Sequence, residues 1–169
     1  MKSKCVGCRD DVSPPFEFKM AFQPIVDVAH DRVWGYEALV RGVNGESTFS
    51  ILNRLTAETR YRFDQAARVM AIETAGVLFD RKDLRLSINF MPNAVYEPTA
   101  CIQRSLAAAK RIDFPHHNLM FEFTENERIV DPLHVRNIIR SLSKVGVLDG
   151  ARRFWGRLCW AGVTLLPAT

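Results

Sequence analysis

Apolar and polar positions along the chain fall into short runs with two different periods. Met20 to Val26 and Val33 to Val40 are apolar and β-prone, and the turn-like Ala29-His30-Asp31-Arg32 between them predicts two opening strands. Thr48 is placed to cap a short helix carrying Phe49, Ile51, Leu52 and Leu55. Phe63, Ala66, Ala67, Met70, Ala71, Thr74 and Leu78 keep helical spacing, which predicts a helix over about Tyr61–Phe79. Leu84 to Asn89 then alternates as a strand does. An alanine-rich helix is expected over Thr99–Arg111, closed by Lys110 and Arg111, whose charges suit the negative end of a helix dipole. Leu119–Phe123 reads as a strand embedding one acid. Asp131 and Pro132 supply a cap and a helix-starting proline for a last helix reaching about Gly146.

After the opening β pair the order is helix, strand, helix, strand, helix. That alternation predicts an α/β fold built of βαβ units around a parallel sheet. In such sheets chemistry collects at the carboxyl ends of the strands. Three oxygen-bearing side chains occupy the ends of three expected strands: Glu37, Asn89 and Glu122. Two carboxylates and an amide are hard oxygen ligands, suited to Mg²⁺ or Mn²⁺. Spacing alone fits ordinary polar residues at strand boundaries better than a metal site.

Composition narrows the class. The 169 residues are 47% hydrophobic and 25% charged, which excludes a disordered chain and allows one domain with a full core. No run approaches the roughly 18–20 apolar residues of a membrane span. The opening Met1-Lys2-Ser3-Lys4-Cys5-Val6-Gly7-Cys8 leads into Arg9-Asp10-Asp11, not into an apolar signal core, so a cytoplasmic address without membrane contact is expected. The net charge of +4 is scattered, which argues against a DNA or RNA groove and leaves room for a small anion. Cys5 and Cys8 form a CxxC with no second pair. It is either half of a zinc site that recruits Cys101, His116, His117 or a partner chain, or two reduced thiols on a polar lead.

Phe22-Gln23-Pro24-Ile25-Val26-Asp27 and Gly35-Tyr36-Glu37-Ala38-Leu39-Val40-Arg41-Gly42 resemble the EAL domain family of cyclic di-GMP phosphodiesterases. The resemblance continues through Arg60-Tyr61-Arg62-Phe63-Asp64, Ser87-Ile88-Asn89-Phe90-Met91-Pro92 and Phe121-Glu122-Phe123-Thr124-Glu125-Asn126, covering about residues 17–146. It implies a modified (β/α)₈ barrel that opens cyclic di-GMP to linear pGpG with two divalent ions, Mg²⁺ or Mn²⁺, activating a water. By the same resemblance Glu37, Asn89 and Glu122 are metal ligands. Arg41 contacts phosphate, as its forked guanidinium permits. Gln23 and Leu39 line the ligand pocket, and Glu125 supports an active-site loop.

The family pattern then calls for a strand ending in Asp-Asp-Phe-Gly, and later strands for a lysine, a glutamate and a glutamine. The stretch from Val147 to Gly162 matches none of this. A permitted back-translation of it, read one base later, gives Phe-Leu-Thr-Ala-Leu-Asp-Asp-Phe-Gly-Ala-Gly-Tyr-Ala-Gly-Leu, the missing motif in its expected place. The chain therefore divides into a lead over 1–16, a partial EAL domain over 17–146 and a frameshift-like tail over 147–169. Since a whole barrel needs about 250 residues, roughly half of one is expected. Without the aspartate pair the chain should be inactive. The alternative is a non-catalytic module that binds cyclic di-GMP or a protein. An open sheet edge and an apolar tail also predict association with a second copy or another protein.

Overall fold

A computed structural model of the chain describes residues 13–95, 97–123 and 130–149. Five strands form one sheet in the order of the chain: β1 (Lys19–Asp27), β2 (Arg32–Arg41), β3 (Arg85–Phe90), β4 (Leu119–Phe123) and β5 (Leu148–Asp149). β1 and β2 are antiparallel, and β2, β3, β4 and β5 run parallel. The helices are α1 (Thr48–Leu52), α2 (Ala57–Leu78), α3 (Pro98–Arg111) and α4 (Pro132–Lys144). The α/β order expected from periodicity is thus present. β5 falls in the 147–169 segment that the sequence sets apart, so a two-residue strand extends the sheet beyond the last helix. Cys5, Cys8 and residues 150–169 lie outside the described residues.

Helix starts are set by side-chain caps. Ser47, not Thr48, caps α1 by accepting from the Ser50 N–H. Thr48 is diverted: its hydroxyl donates to the Val40 carbonyl at 2.8 Å, so it ties the helix back to β2. α2 begins a turn before Tyr61 because Thr56 and Thr59 form a reciprocal capping box that the apolar periodicity does not register. Glu97 caps α3 through the amides of Thr99 and Ala100, with Pro98 at its first turn. Asp131 caps α4 ahead of Pro132, as its residue type predicts.

Alternation along the strands sorts the two sheet faces. Ala38, Leu86, Ile88, Phe90, Leu119 and Phe121 are buried in one cluster with Ala71, Ile72, Ala75, Ile102, Ala108, Ile138 and Leu142 of the helices. The intervening positions, including Glu37, Ser87, Asn89 and Glu122, stand on the other face. A second cluster of Phe18, Ile51, Phe63, Ala67, Met91 and Ala94 packs α1 and the start of α2 beside it.

Gly35 sets the spacing between β2 and β3. A Cβ built there would lie 2.5 Å from the Arg85 carbonyl oxygen and 2.9 Å from the Arg85 Cβ. Backbone cannot swing aside as a flexible side chain can, so Gly35→Ala must push the two strands apart. We expect this substitution to cost about 1–3 kcal/mol, the usual penalty for overpacking. Urea denaturation should show it as a lower midpoint at unchanged slope. An unchanged midpoint would mean that the strands separate there without penalty.

Candidate functional site

The register of three parallel strands builds the site. Glu37 on β2 lies opposite Ser87 on β3, and Asn89, two residues further along, lies opposite Glu122 on β4. Because successive side chains alternate, Ser87 and Asn89 share a face with both acids. The Asn89 carboxamide donates from Nδ2 to Glu37 Oε1 at 2.8 Å. The Ser87 hydroxyl donates to Glu122 Oε1 at 2.6 Å. Two hydrogen bonds thus lace β3 to an acid on each neighbouring strand.

Burial pushes the Glu122 carboxyl above its ordinary range, and the negative charge of Glu37 pushes it further in the same direction. The Ser87 hydroxyl opposes both by stabilising the carboxylate. Glu37, Asn89 and Glu122 are each half-buried. With its amide nitrogen on Glu37, Asn89 has its carbonyl oxygen as the atom able to take a cation. The donor set of two carboxylates and one amide oxygen fits a hard divalent ion, whose charge would relieve the repulsion between the acids. It is a sparse set: among the described residues no group of three or more His, Cys, Asp or Glu is placed to hold a metal.

The remaining candidates surround this centre at different distances from it. Gln23 on β1 is opposite Glu37 across the antiparallel pair, and it is exposed. Leu39 follows Glu37 by two on the same face and is half-buried. Arg41 ends β2. Its Nη1 donates to the Val40 carbonyl at 2.8 Å and to the Thr48 hydroxyl at 2.6 Å. These two bonds hold the guanidinium at the carboxyl end of the sheet and leave other N–H groups of its five for a ligand. Glu125 lies outside the described residues. Ser87 is the partner that residue chemistry alone overlooks. Its signal is positional, since a residue two before Asn89 on a strand must share its face.

The EAL domain model matches residues 13–148, most of the chain. The chain belongs to the EAL domain family. A standalone EAL protein from Vibrio cholerae O395, solved in its c-di-GMP-bound form, is 48% identical, with a TM-score of 0.74 over 81% of this chain and 57% of that one. Klebsiella pneumoniae BlrP1, solved as a manganese and cyclic diGMP complex, is 28% identical, with a TM-score of 0.71 over 82% of this chain and 35% of that one. BlrP1 has also been solved with calcium and cyclic diGMP. Among curated proteins, the blue light- and temperature-regulated antirepressor BluF of Escherichia coli is 27% identical over 92% of this chain and 38% of its own length. The chain thus spans between about a third and somewhat over half of these EAL relatives. Relatives in the EAL family bind cyclic di-GMP beside divalent cations, and among the described residues no helix is long and apolar enough to cross a membrane.

The raised Glu122 pKa has a consequence for stability. A carboxyl raised above its unfolded value favours the fold while protonated, and that contribution disappears as pH rises through the folded pKa. Glu122→Gln keeps the size of the side chain and an oxygen for Ser87 while removing the charge. In EDTA the variant should therefore be more stable than the parent at neutral pH, with the gain vanishing as pH falls below 4.5, the ordinary glutamate value. Urea midpoints measured across pH check this. A gain independent of pH would show that repulsion and burial of the charge are not its source.

Proposed function

We propose that residues 17–146 are the first half of an EAL-type cyclic di-GMP phosphodiesterase, that residues 147–169 are a frameshifted tail, and that this polypeptide turns over cyclic di-GMP at no more than background rate. The observation that carries the reading is the meeting of Glu37, Asn89 and Glu122 on one face at the carboxyl ends of three neighbouring strands. The 48% identical relative solved with c-di-GMP supports the ligand. The manganese and calcium complexes of BlrP1 support the class of cation, for which Mg²⁺ or Mn²⁺ is the working assignment. The same reading assigns a cytoplasmic address.

On this reading a bound divalent ion would polarise the phosphodiester and lower the pKa of a water. Glu37 and Glu122 supply the anionic oxygens that hold such an ion, and Asn89 supplies a neutral one. Ser87 orients Glu122 by donating to one of its oxygens, leaving the other for the cation. Arg41, held by Thr48 and the Val40 carbonyl, presents its remaining donors to one phosphate. Gln23 and Leu39 flank the nucleotide. Residues 123–169 hold no Asp-Asp pair, the pair that the family pattern adds to such an ion site. Three protein oxygens with open positions hold a cation weakly, and water activation fails with it.

A second reading, a regulatory module that contacts a ligand or protein without catalysis, is favoured by one observation: the similarity to BluF, an antirepressor, runs over 92% of this chain.

Assays separate the two. With Mg²⁺ or Mn²⁺ the purified chain should hydrolyse cyclic di-GMP at background, and turnover that Glu37→Ala abolishes would overturn the inactive reading. Calorimetry should show weak cyclic di-GMP binding, weakened further by Arg41→Ala. Tight, Arg41-dependent binding without turnover would promote the regulatory module.

The tail is tested at the DNA level. Deleting one base just after the Gly146 codon should extend the protein and recover cation-dependent phosphodiesterase activity. A stop codon soon after the restored Asp-Asp-Phe-Gly segment would refute the frameshift.

A further inference from the structure

Asp64 and Arg68 lie one turn apart on α2, and both are buried, at 3% and 0% exposure. Arg68 Nη2 meets Asp64 Oδ2 at 2.9 Å. The other carboxylate oxygen, Oδ1, accepts the Met91 N–H at 3.1 Å, where the chain leaves β3. The guanidinium lies over the Phe90 ring, 4.9 Å from its centroid, and reaches the Phe121 ring of β4 at 5.9 Å. Its Nη1 faces the Cys101 carbonyl at 3.5 Å and the Ser105 hydroxyl at 3.4 Å, both on α3. One buried ion pair therefore touches α2, α3, β3 and β4.

Stability alone does not account for this pair. Desolvating two charges costs as much as their attraction returns, and well-packed apolar residues of similar volume often serve a core better. What the pair touches is more informative. Phe90 directly follows Asn89, and Phe121 directly precedes Glu122. On alternating strands these rings are the core-side neighbours of the two polar residues, joined to them by a single peptide. Holding Phe90, Phe121 and the Met91 amide from behind the sheet fixes the backbone that carries Asn89 and Glu122 in front of it.

We infer that Asp64 and Arg68 are positioning residues for the cation site, acting through the backbone of β3 and β4 without touching the ligand. The inference rests on the functional reading only for its consequence in cation binding. Its structural part concerns the Asn89–Glu37 hydrogen bond and stands by itself.

The experiment compares Asp64→Asn and the milder Arg68→Lys with Ile72→Val, a core change elsewhere on α2. Folding of each is verified by circular dichroism, and two readouts follow in the full chain. Without metal, the Asn89 carboxamide protons should give dispersed, slowly exchanging NMR signals in the parent and in Ile72→Val. They should collapse toward solvent-averaged positions in Asp64→Asn and Arg68→Lys. Mn²⁺ affinity, followed by proton relaxation, should fall roughly tenfold in the same two variants, as it does when groups supporting metal ligands are altered, and hold in Ile72→Val. Retention of both signals and affinity in a folded Arg68→Lys would overturn the inference, as would losses that merely track stability in all three variants. If the parent binds no Mn²⁺, the cation reading fails and the Asn89 signals alone decide.

Discussion

A strand can slip against its neighbour only in whole residues, and a slip of one turns every side chain to the opposite face. The parallel register of β2, β3 and β4 is therefore the constraint on which the rest of the structure depends. With Leu86, Ile88 and Phe90 of β3 and Leu119 and Phe121 of β4 locked among the helices, no single-residue slip is open that keeps the core. The polar positions between them then have nowhere to go but the other face. Glu37, Asn89 and Glu122 meet because the apolar residues beside them are buried.

That geometry sets up an electrostatic tension. Two half-buried carboxylates on one face repel, and among the described residues the groups bonded to them across the strands are neutral: the Asn89 amide on Glu37 and the Ser87 hydroxyl on Glu122. Such donors soften the repulsion without cancelling charge. The site is thus poised either to keep a proton on Glu122 or to take a cation. Behind the same sheet, Arg68 and Asp64 form a buried ion pair, so the charges on the core side are compensated while the two acids on the polar side meet neutral partners.

Much of this was legible in the residues. Apolar, β-prone runs located β2 and β4, alternation located β3, and the family motifs named the residues that meet. Strand ends carried the site because side-chain alternation and parallel order are local properties that short windows reveal. Other features were hidden for physical reasons. Ser47 and Thr48 are both good cap residues, and only the β2 carbonyl that draws Thr48 away decides between them. The start of α2 lay in polar Thr56–Thr59, where apolar spacing is silent. The buried pair was unreadable because Asp64 and Arg68 at helical spacing look like a solvated i,i+4 pair until the rings of Phe90 and Phe121 close over them. Ser87 passed as a small strand residue because its partner lies 35 positions away.

The two sides of the sheet also differ in how much chain each requires. The core side is closed by α2, α3 and α4, and its large residues are already buried among the described elements. Among the described residues the polar side carries what β1 to β4 bring to it. On the proposed reading folding and ligand binding divide along the sheet. The helical layer of the first four strands suffices to bury Phe90 and Phe121 and hence to aim Asn89 and Glu122. On the proposed reading Glu37, Asn89 and Glu122 would give three of the about six oxygens that a hard divalent ion takes. Among the described residues packing sits on one face of these strands and the candidate chemistry on the other, so the architecture of the site follows from the core and not from the ligand it would hold.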